Sequence, residues 1–337
     1  MSDVVAPSAG GTKALEVLEP GIQTTVQDHP GRRGMLALGF FPAGPMDDFA
    51  FRVANLLVGN SDDAAGLEVT LGNVALRFLC DATVAVCGPD AAVTLDEDPL
   101  QLWESARAQA GSVLRIGVPT AGFRFYVAAG GGIDVPKIFG SRATYTMGSI
   151  GGLDGRALRK GDRLAIGSER SPRAVSRRFP RSERPSYGRV WELAAMEGPQ
   201  GAPDYLTSSD MEAFFSREWS VDTNSNRTGI RLEPHAFEWA RPSGGIAGGH
   251  PSNILDNPYP VGGVNINGDL PVILGPDGPT AGGFVVAATV IEAARWKLGQ
   301  LRPVGDRVRF HRVTLEEALA QRRALDARLS EDVLEDA

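Results

Sequence analysis

Asn224, Asn226 and Arg227 stand around one serine in the stretch DTNSNRTGIRLE, Asp222 to Glu233, with few apolar residues beside them. An asparagine side chain donates and accepts hydrogen bonds at once, which suits a small polar substrate carrying both kinds of group. Asparagine also tolerates left-handed backbone and caps turns, so a tight turn before a strand accounts for the same residues. A second polar concentration follows in GGHPSNILDNPYPVGGVNINGDLPVILGPDGPTAGGF, which holds His250, Asn253, Asn257, Asn265, Asn267 and Thr280. That density of asparagine exceeds what turns ordinarily need. NINGDLP still reads as a hairpin turn over Asn267–Asp269, and Asp277 in GPDGPT reads as a turn residue. His250 follows two glycines and precedes a proline, which puts it on a loop, where binding residues concentrate.

Several familiar catalytic engines are missing. There is no GxxxxGK[ST] phosphate loop and no GxSxG nucleophile elbow. The histidines are His29, His235, His250 and His311, and none joins a cysteine at zinc spacing. AAGGGIDVP is rich in glycine without being a dinucleotide fingerprint. In TTVQDHPGRRG, Asp28 is expected to cap a turn or to pair with Arg32 or Arg33. An enzyme built from this chain would borrow its reactive group.

These residues have to be held by strands. Val, Thr, Leu and Ile alternate with turn residues, and strand-like segments recur at Ala14–Leu18, Thr24–Gln27, Val74–Phe78, Ala82–Cys87, Val113–Ile116 and Phe123–Ala129. One helix interrupts them in GPMDDFAFRVANLLVGN. Phe49, Val53, Leu56 and Leu57 recur there at helical spacing, Asp47 and Asp48 suit its start, and Gly59 suits its end. Ser209 and Glu212 are spaced as a capping box before AFFSREW, and Thr314 and Glu317 as another before a charged tail helix. That tail carries Leu315, Leu319, Leu325 and Leu329 on or near one side, and is expected to pack on the body or on a neighbouring protomer.

Residues 168–189, SERSPRAVSRRFPRSERPSYGR, are dense in arginine and broken by proline. They read as a solvated interdomain linker, or as a basic patch that grips an acidic partner or a phosphate. On each side the pattern echoes itself. LRIGVPTAGFRFYVAAGG is similar to VILGPDGPTAGGFVVAATV, and RALRKGDRLAIG to GQLRPVGDRVRFH. Two related β-rich domains in tandem give the simplest account. The expected layout is a flexible N-terminus over 1–13, a first domain over 14–167, the linker over 168–189, a second domain over 190–312 and a C-terminal helix over 313–337.

A net charge of -7 speaks against nucleic acid as a general partner. Cys80 and Cys87 would point to opposite faces of one strand, too far apart to bond, so no disulfide framework is implied. The first residues lack a basic start followed by an apolar run, and no apolar run is long enough to span a membrane. The expectation is a cytoplasmic protein with neither a nucleic-acid nor a membrane partner.

In order along the chain, GIQTTVQDHPGRRG, GPMDDFAFRVANLLVGN, AAGLEVTLG, GGIDVP, NSNRTGIRL, GGHPSNI and GDLPVILGPDGPTAGGF resemble the biotin-dependent carboxyltransferase family, also labelled allophanate hydrolase subunit 2. That family includes half of the carboxyltransferase domain of urea carboxylase and one subunit of the bacterial 5-oxoprolinase. The resemblance covers roughly residues 14–312, and GGHPSNI with GPDGPTAGGF leans toward the urea carboxylase branch. It implies a mainly β chain of two tandem cyclophilin-like β-barrel domains with a few short helices. It also implies an allophanate hydrolase subunit 1-like partner, with the active site between the two. No Met-Lys-Met biotin-attachment string is present, so biotin would be carried on another protein, with a separate biotin carboxylase and biotin carrier. The implied reaction moves a carboxyl group from carboxybiotin to the amide nitrogen of urea or a similar small amide. The resemblance then points to Asn224, Asn226, Arg227, His250, Asn253 and Thr280 as residues that bind the amide. Amide hydrolysis in an allophanate hydrolase or 5-oxoprolinase complex, and a regulatory binding role without turnover, are the alternatives.

Overall fold

The computed structural model describes residues 14–169 and 176–337. The expected flexible N-terminus, with Arg170 and Arg173 of the basic segment, lies outside them. The chain forms two compact units, one running to Tyr187 and including Asp326–Ala337, the other Gly188–Leu325. Both are mainly β, as expected from the strand-and-turn pattern.

The first unit contains two antiparallel sheets. One runs in the order Arg163–Ala165, Ala14–Pro20, Val74–Phe78, Val113–Ile116, Val93–Leu95 and Asp98–Pro99. The other runs Gln23–Gln27, Gly66–Thr70, Arg124–Ala129, Ala82–Cys87 and Ser105–Ala108. Leu15, Leu76 and Leu114 from the first sheet pack with Val69, Val86 and Phe125 from the second in one buried cluster. Burial of such side chains is worth about 1.5–3 kcal/mol each, which is why strands this short persist. Cys87 is buried in its strand and Cys80 lies on the turn before it, both as free thiols.

The helix Asp48–Leu57 starts where the sequence indicates: the Asp47 carboxylate accepts from the Ala50 amide at 2.9 Å. Asp28 pairs with neither Arg32 nor Arg33. It accepts from Ser141 Oγ and from the Arg142 amide, both at 2.6 Å, while Arg32 is buried and donates to the carbonyls of Ile138 and Ala143. Backbone groups and one hydroxyl far away in sequence satisfy both side chains, which local spacing cannot reveal.

Asp62, in the loop after the helix, lies 3.0 Å from His29 Nδ1 and 2.6 Å from Arg52 Nε. Burial pushes its carboxyl up, but the bonds from His29 and Arg52 outweigh that and hold it at about 2. A carboxyl depressed from 3.8 to about 2 stabilises the fold above pH 4, and that contribution is lost as pH falls through about 2. The side chain is 52% exposed, so solvent screening limits the effect to at most about 1 kcal/mol. Asp62→Asn should therefore be less stable than wild type in urea melts at pH 7, by a gap that shrinks at pH 2, where about half of the carboxyl is protonated in the folded protein. A gap as large at pH 2 as at pH 7 would remove the ion pairs as its cause.

The part of the supposed linker over residues 176–187 is built into the first unit. Arg177–Arg178 pair antiparallel with Glu335–Asp336, and Phe179 is fully buried against Phe49 and Trp103. The C-terminal helix spans Leu315–Ala327 rather than the whole tail, because the chain turns to reach that pairing. Its capping box forms, with the Thr314 amide donating to Glu317 Oε2 at 2.7 Å and the Glu317 amide to Thr314 Oγ1 at 3.2 Å. Leu325 is buried, but Leu315 and Leu319 stay exposed, so these two have no cover among the described residues.

The second unit is one large sheet, in the order Glu218–Ser220, Arg307–Arg312, Val190–Glu197, Ala281–Val290, Gly263–Asn267, Leu270–Leu274 and Gly229–Arg231. Asn253–Pro258 pairs with Ala281–Val290 off this path. The pairing of Val190–Glu197 with Arg307–Arg312 is parallel, and the rest are antiparallel. The helix Ser208–Ser216 is capped by Thr207 with Asp210, not by Ser209 with Glu212. Asp210 wins because it is buried and also accepts from the Glu238 and Trp239 amides. The sequence echo has a structural counterpart at the KGDR and VGDR turns. Gly161 and Gly305 are both left-handed, at φ 87° and 84°, and the following Asp162 and Asp306 accept from the Arg159 and Arg302 amides.

Candidate functional site

Four strands of the second unit supply one concave face. Along each, alternate residues point the same way. Gly263–Asn267 buries Val264 and Ile266 in the core and turns Asn265 and Asn267 to the other side. Leu270, Val272 and Leu274 lie beside them, followed by Gly229 with Arg231 on one flank and Gly282 with Phe284 on the other. Tyr259 closes the face, and the cavity measures about 340 Å³. A side chain at Gly282 would put its Cβ 2.7 Å from the Tyr259 ring, so glycine is what lets the ring lie across that strand.

Asn265 is 6% exposed, and its Oδ1 accepts no hydrogen bond among the described residues. The register shifts beside it, between Val264↔Ala288 and Asn265↔Val286, and such bulges re-aim side chains. Tyr259 Oη donates to the Phe284 carbonyl at 3.0 Å and accepts from the Phe284 amide at 2.7 Å. Burial raises the Tyr259 hydroxyl, against the opposing bonds from the Phe284 backbone and the Asn265 side chain. It therefore stays protonated at neutral pH and serves as a hydrogen-bonding group, not a base. A buried acceptor without a partner costs about 1–3 kcal/mol, a cost that a ligand N–H would remove. The walls suit a small neutral molecule with N–H groups, held against Leu270, Val272 and Phe284.

Of the residues read from the sequence, Asn224 and Asn226 line an open cleft of about 600 Å³ that shares Arg231 and Leu270 with the cavity. Both also make turns. The Asn224 amide donates to Asp222 Oδ1 at 2.7 Å, and Asn226 Oδ1 accepts from the Thr228 amide at 2.8 Å. Arg227 is buried and makes two bonds to Asp277, Nε to Oδ2 at 2.8 Å and Nη2 to Oδ1 at 3.0 Å. Asp277 is thus an ion-pair partner, not merely a turn residue. Gly275 lets the two loops touch, since a Cβ there would sit 2.0 Å from the Arg227 carbonyl oxygen.

His250 and Asn253 line neither space. His250 Nδ1 accepts from the Ser252 amide at 3.1 Å, and its ring stands edge-on to Trp239. Asn253 Nδ2 donates to the Gly248 carbonyl at 3.1 Å. Thr280 contributes its carbonyl to the Tyr259 amide at 2.8 Å, while Pro279 and Ala281 on either side of it line the cavity. Tyr259 and Arg231 do not stand out in the sequence, and Asn265 does so only as part of a polar cluster. The period-two alternation of VNIN is the signal that puts Asn265 and Asn267 on one face. Among the described residues no cluster of histidine, cysteine and carboxylate could hold a metal ion, and no helix is long and apolar enough to cross a membrane.

The fold and this site define a mainly β protein that can hold a small, neutral, hydrogen-bonding molecule. The chain belongs to the family described as carboxyltransferase domain, subdomain A and B, whose model matches residues 38–312. It is 41% identical over 318 residues to urea amidolyase of Saccharomyces cerevisiae, covering 93% of this chain but 17% of that protein. It is 34% identical to a 5-oxoprolinase subunit of Escherichia coli, over 91% of this chain and 94% of that protein. The crystal structure of Kluyveromyces lactis urea carboxylase matches with a TM-score of 0.88 at 39% identity, over 98% of this chain and 30% of that one. The chain thus spans a small part of its fungal relatives and nearly all of the bacterial one.

Proposed function

We propose that this chain is the amide-binding component of a carboxyltransferase that adds a carboxyl group to the nitrogen of urea or a similar small amide. The observation that carries the reading is Asn265, whose buried Oδ1 has no partner among the described residues, in the lining of the cavity next to Tyr259. Asn265 accepts an N–H from the amide, and the Tyr259 hydroxyl offers a further polar contact. Leu270, Val272 and Phe284 keep water off the reacting nitrogen, which strengthens both bonds and limits hydrolysis. Arg227 acts one step back, since its pair with Asp277 holds the Asn224–Asn226 loop at the mouth.

Biotin, attached to a separate carrier protein, supplies the activated carboxyl group and the base. An allophanate hydrolase subunit 1-like protein completes the site, and a biotin carboxylase recharges the carrier. The chain is expected to be inactive alone, because the cavity's only hydroxyls belong to Thr228 and Tyr259 and no side chain that would activate either lines it. A second reading, membership of a 5-oxoprolinase complex, is favoured by the match over 94% of the Escherichia coli protein.

The test co-purifies the tagged chain with its native partners and assays ATP-dependent turnover of urea, guanidine and 5-oxoproline. Turnover of urea or guanidine that is abolished by avidin supports carboxyl transfer. Turnover of 5-oxoproline alone, insensitive to avidin, would replace that reading with the second one. Co-purification with a partner but no turnover of any amide would leave a regulatory binding role.

A further inference from the structure

The first unit has its own cavity of about 780 Å³, within the range of small-molecule pockets. Its apolar wall comes from Leu100, Leu102, Trp103 and Tyr187. Trp103 is held in an unusual state. Its φ is 65°, a left-handed value that costs a bulky residue of order 1–3 kcal/mol. Its indole Nε1 donates to the Gly88 carbonyl at 2.9 Å and its own carbonyl accepts from the Phe179 amide at 2.8 Å, so the ring is fixed in place. Tyr187 packs where Gly122 leaves room, as a Cβ there would lie 3.0 Å from its ring.

Charges of both signs line the same space: Asp90, Arg181 and Arg184. Arg177, Arg178, Arg184 and Arg189 of the basic segment all have carboxylate partners. Arg181 has none among the described residues, and Asp90 has no basic partner there. Both are exposed, and they are not paired with each other. Two unlike charges left without charged protein partners at a cavity with one apolar wall are complementary to a ligand that carries both charges itself.

We propose that this cavity binds a free α-amino acid with a large apolar side chain, its carboxylate on Arg181, its ammonium near Asp90 and its side chain against Trp103. A guanidinium matches a carboxylate with two parallel N–H bonds, and an aromatic wall takes the side chain. This inference is independent of the amide cavity of the second unit.

The experiment is calorimetric titration of the whole protein with L-phenylalanine, N-acetyl-L-phenylalanine, which lacks the ammonium, and L-phenylalanine amide, which lacks the carboxylate. Saturable binding of L-phenylalanine is expected, with each blocked form weaker by about tenfold, near 1.4 kcal/mol. Asp90→Asn should erase the difference between L-phenylalanine and its N-acetyl form. Arg181→Gln should erase the difference from the amide. Both residues are exposed, so the variants should melt as wild type does. No saturable binding up to about 10 mM would overturn the proposal. So would equal affinity for all three compounds, or selectivity that survives both substitutions.

Discussion

Arg227→Ala is expected to destabilise the second unit by about 3–5 kcal/mol, because it strands the Asp277 carboxylate inside the protein without its partner. Both side chains are almost fully buried, at 6% and 5% exposed, and joined by two bonds. Asp277→Ala should cost a similar amount for the mirror-image reason. The double variant should cost much less than the sum, since neither charge is then left alone. Urea melts of the three variants measure this, and additive losses would mean that the two residues do not stabilise each other. Activity should fall together with stability, because the Asn224–Asn226 loop adjoins Arg227 along the chain and the Asp277 amide donates to the Arg227 carbonyl at 3.2 Å.

Asn265→Leu should do the opposite: keep the fold and lose the function. The two side chains are close in size, and Asn265 Oδ1 gives up no protein partner when it is replaced. The cost of a buried orphan acceptor, about 1 kcal/mol, disappears, so the melting midpoint should not fall. An amide substrate would then meet an apolar wall with its own N–H unsatisfied. That should lower kcat/KM of the assembled complex by about 10- to 100-fold, the equivalent of about 1.4–2.7 kcal/mol. Asn265→Asp, which keeps an acceptor, should retain more activity than the leucine variant. Full kcat/KM in Asn265→Leu would remove this cavity from the reaction. Together the two residues separate a loss of function caused by unfolding from one caused by the site.

Much of the local structure was legible because its causes are local. The strands Val74–Phe78, Ala82–Cys87 and Val113–Ile116 have the ends that turn residues and apolar runs indicate. Asp47 caps its helix because an N-cap needs only a side chain three residues before the amide that it accepts from. The hairpin at Asn267–Leu270 follows from glycine at position 268, φ 63°. Capping was legible only where nothing else competed. Asp210, recruited by amides at 238 and 239, moved the cap of Ser208–Ser216 by two residues from its expected place.

The site was legible in composition and not in geometry. The sequence by itself determined a mainly β chain, the family and a concentration of asparagine in its second half. Only the tertiary structure decided which asparagines share a cavity. Asn265 and Asn267 line it, Asn224 and Asn226 line the adjoining cleft, and Asn253 is spent on the Gly248 carbonyl. It also turned Asp277 from a turn residue into the anchor of Arg227, and a supposed linker into a strand paired with the C-terminus. The physical reason is the same in each case. Alternation, capping and turn chemistry act over a few residues, but a buried polar group is satisfied by whatever the fold brings within about 3 Å. For Arg227 that partner lies 50 positions along the chain.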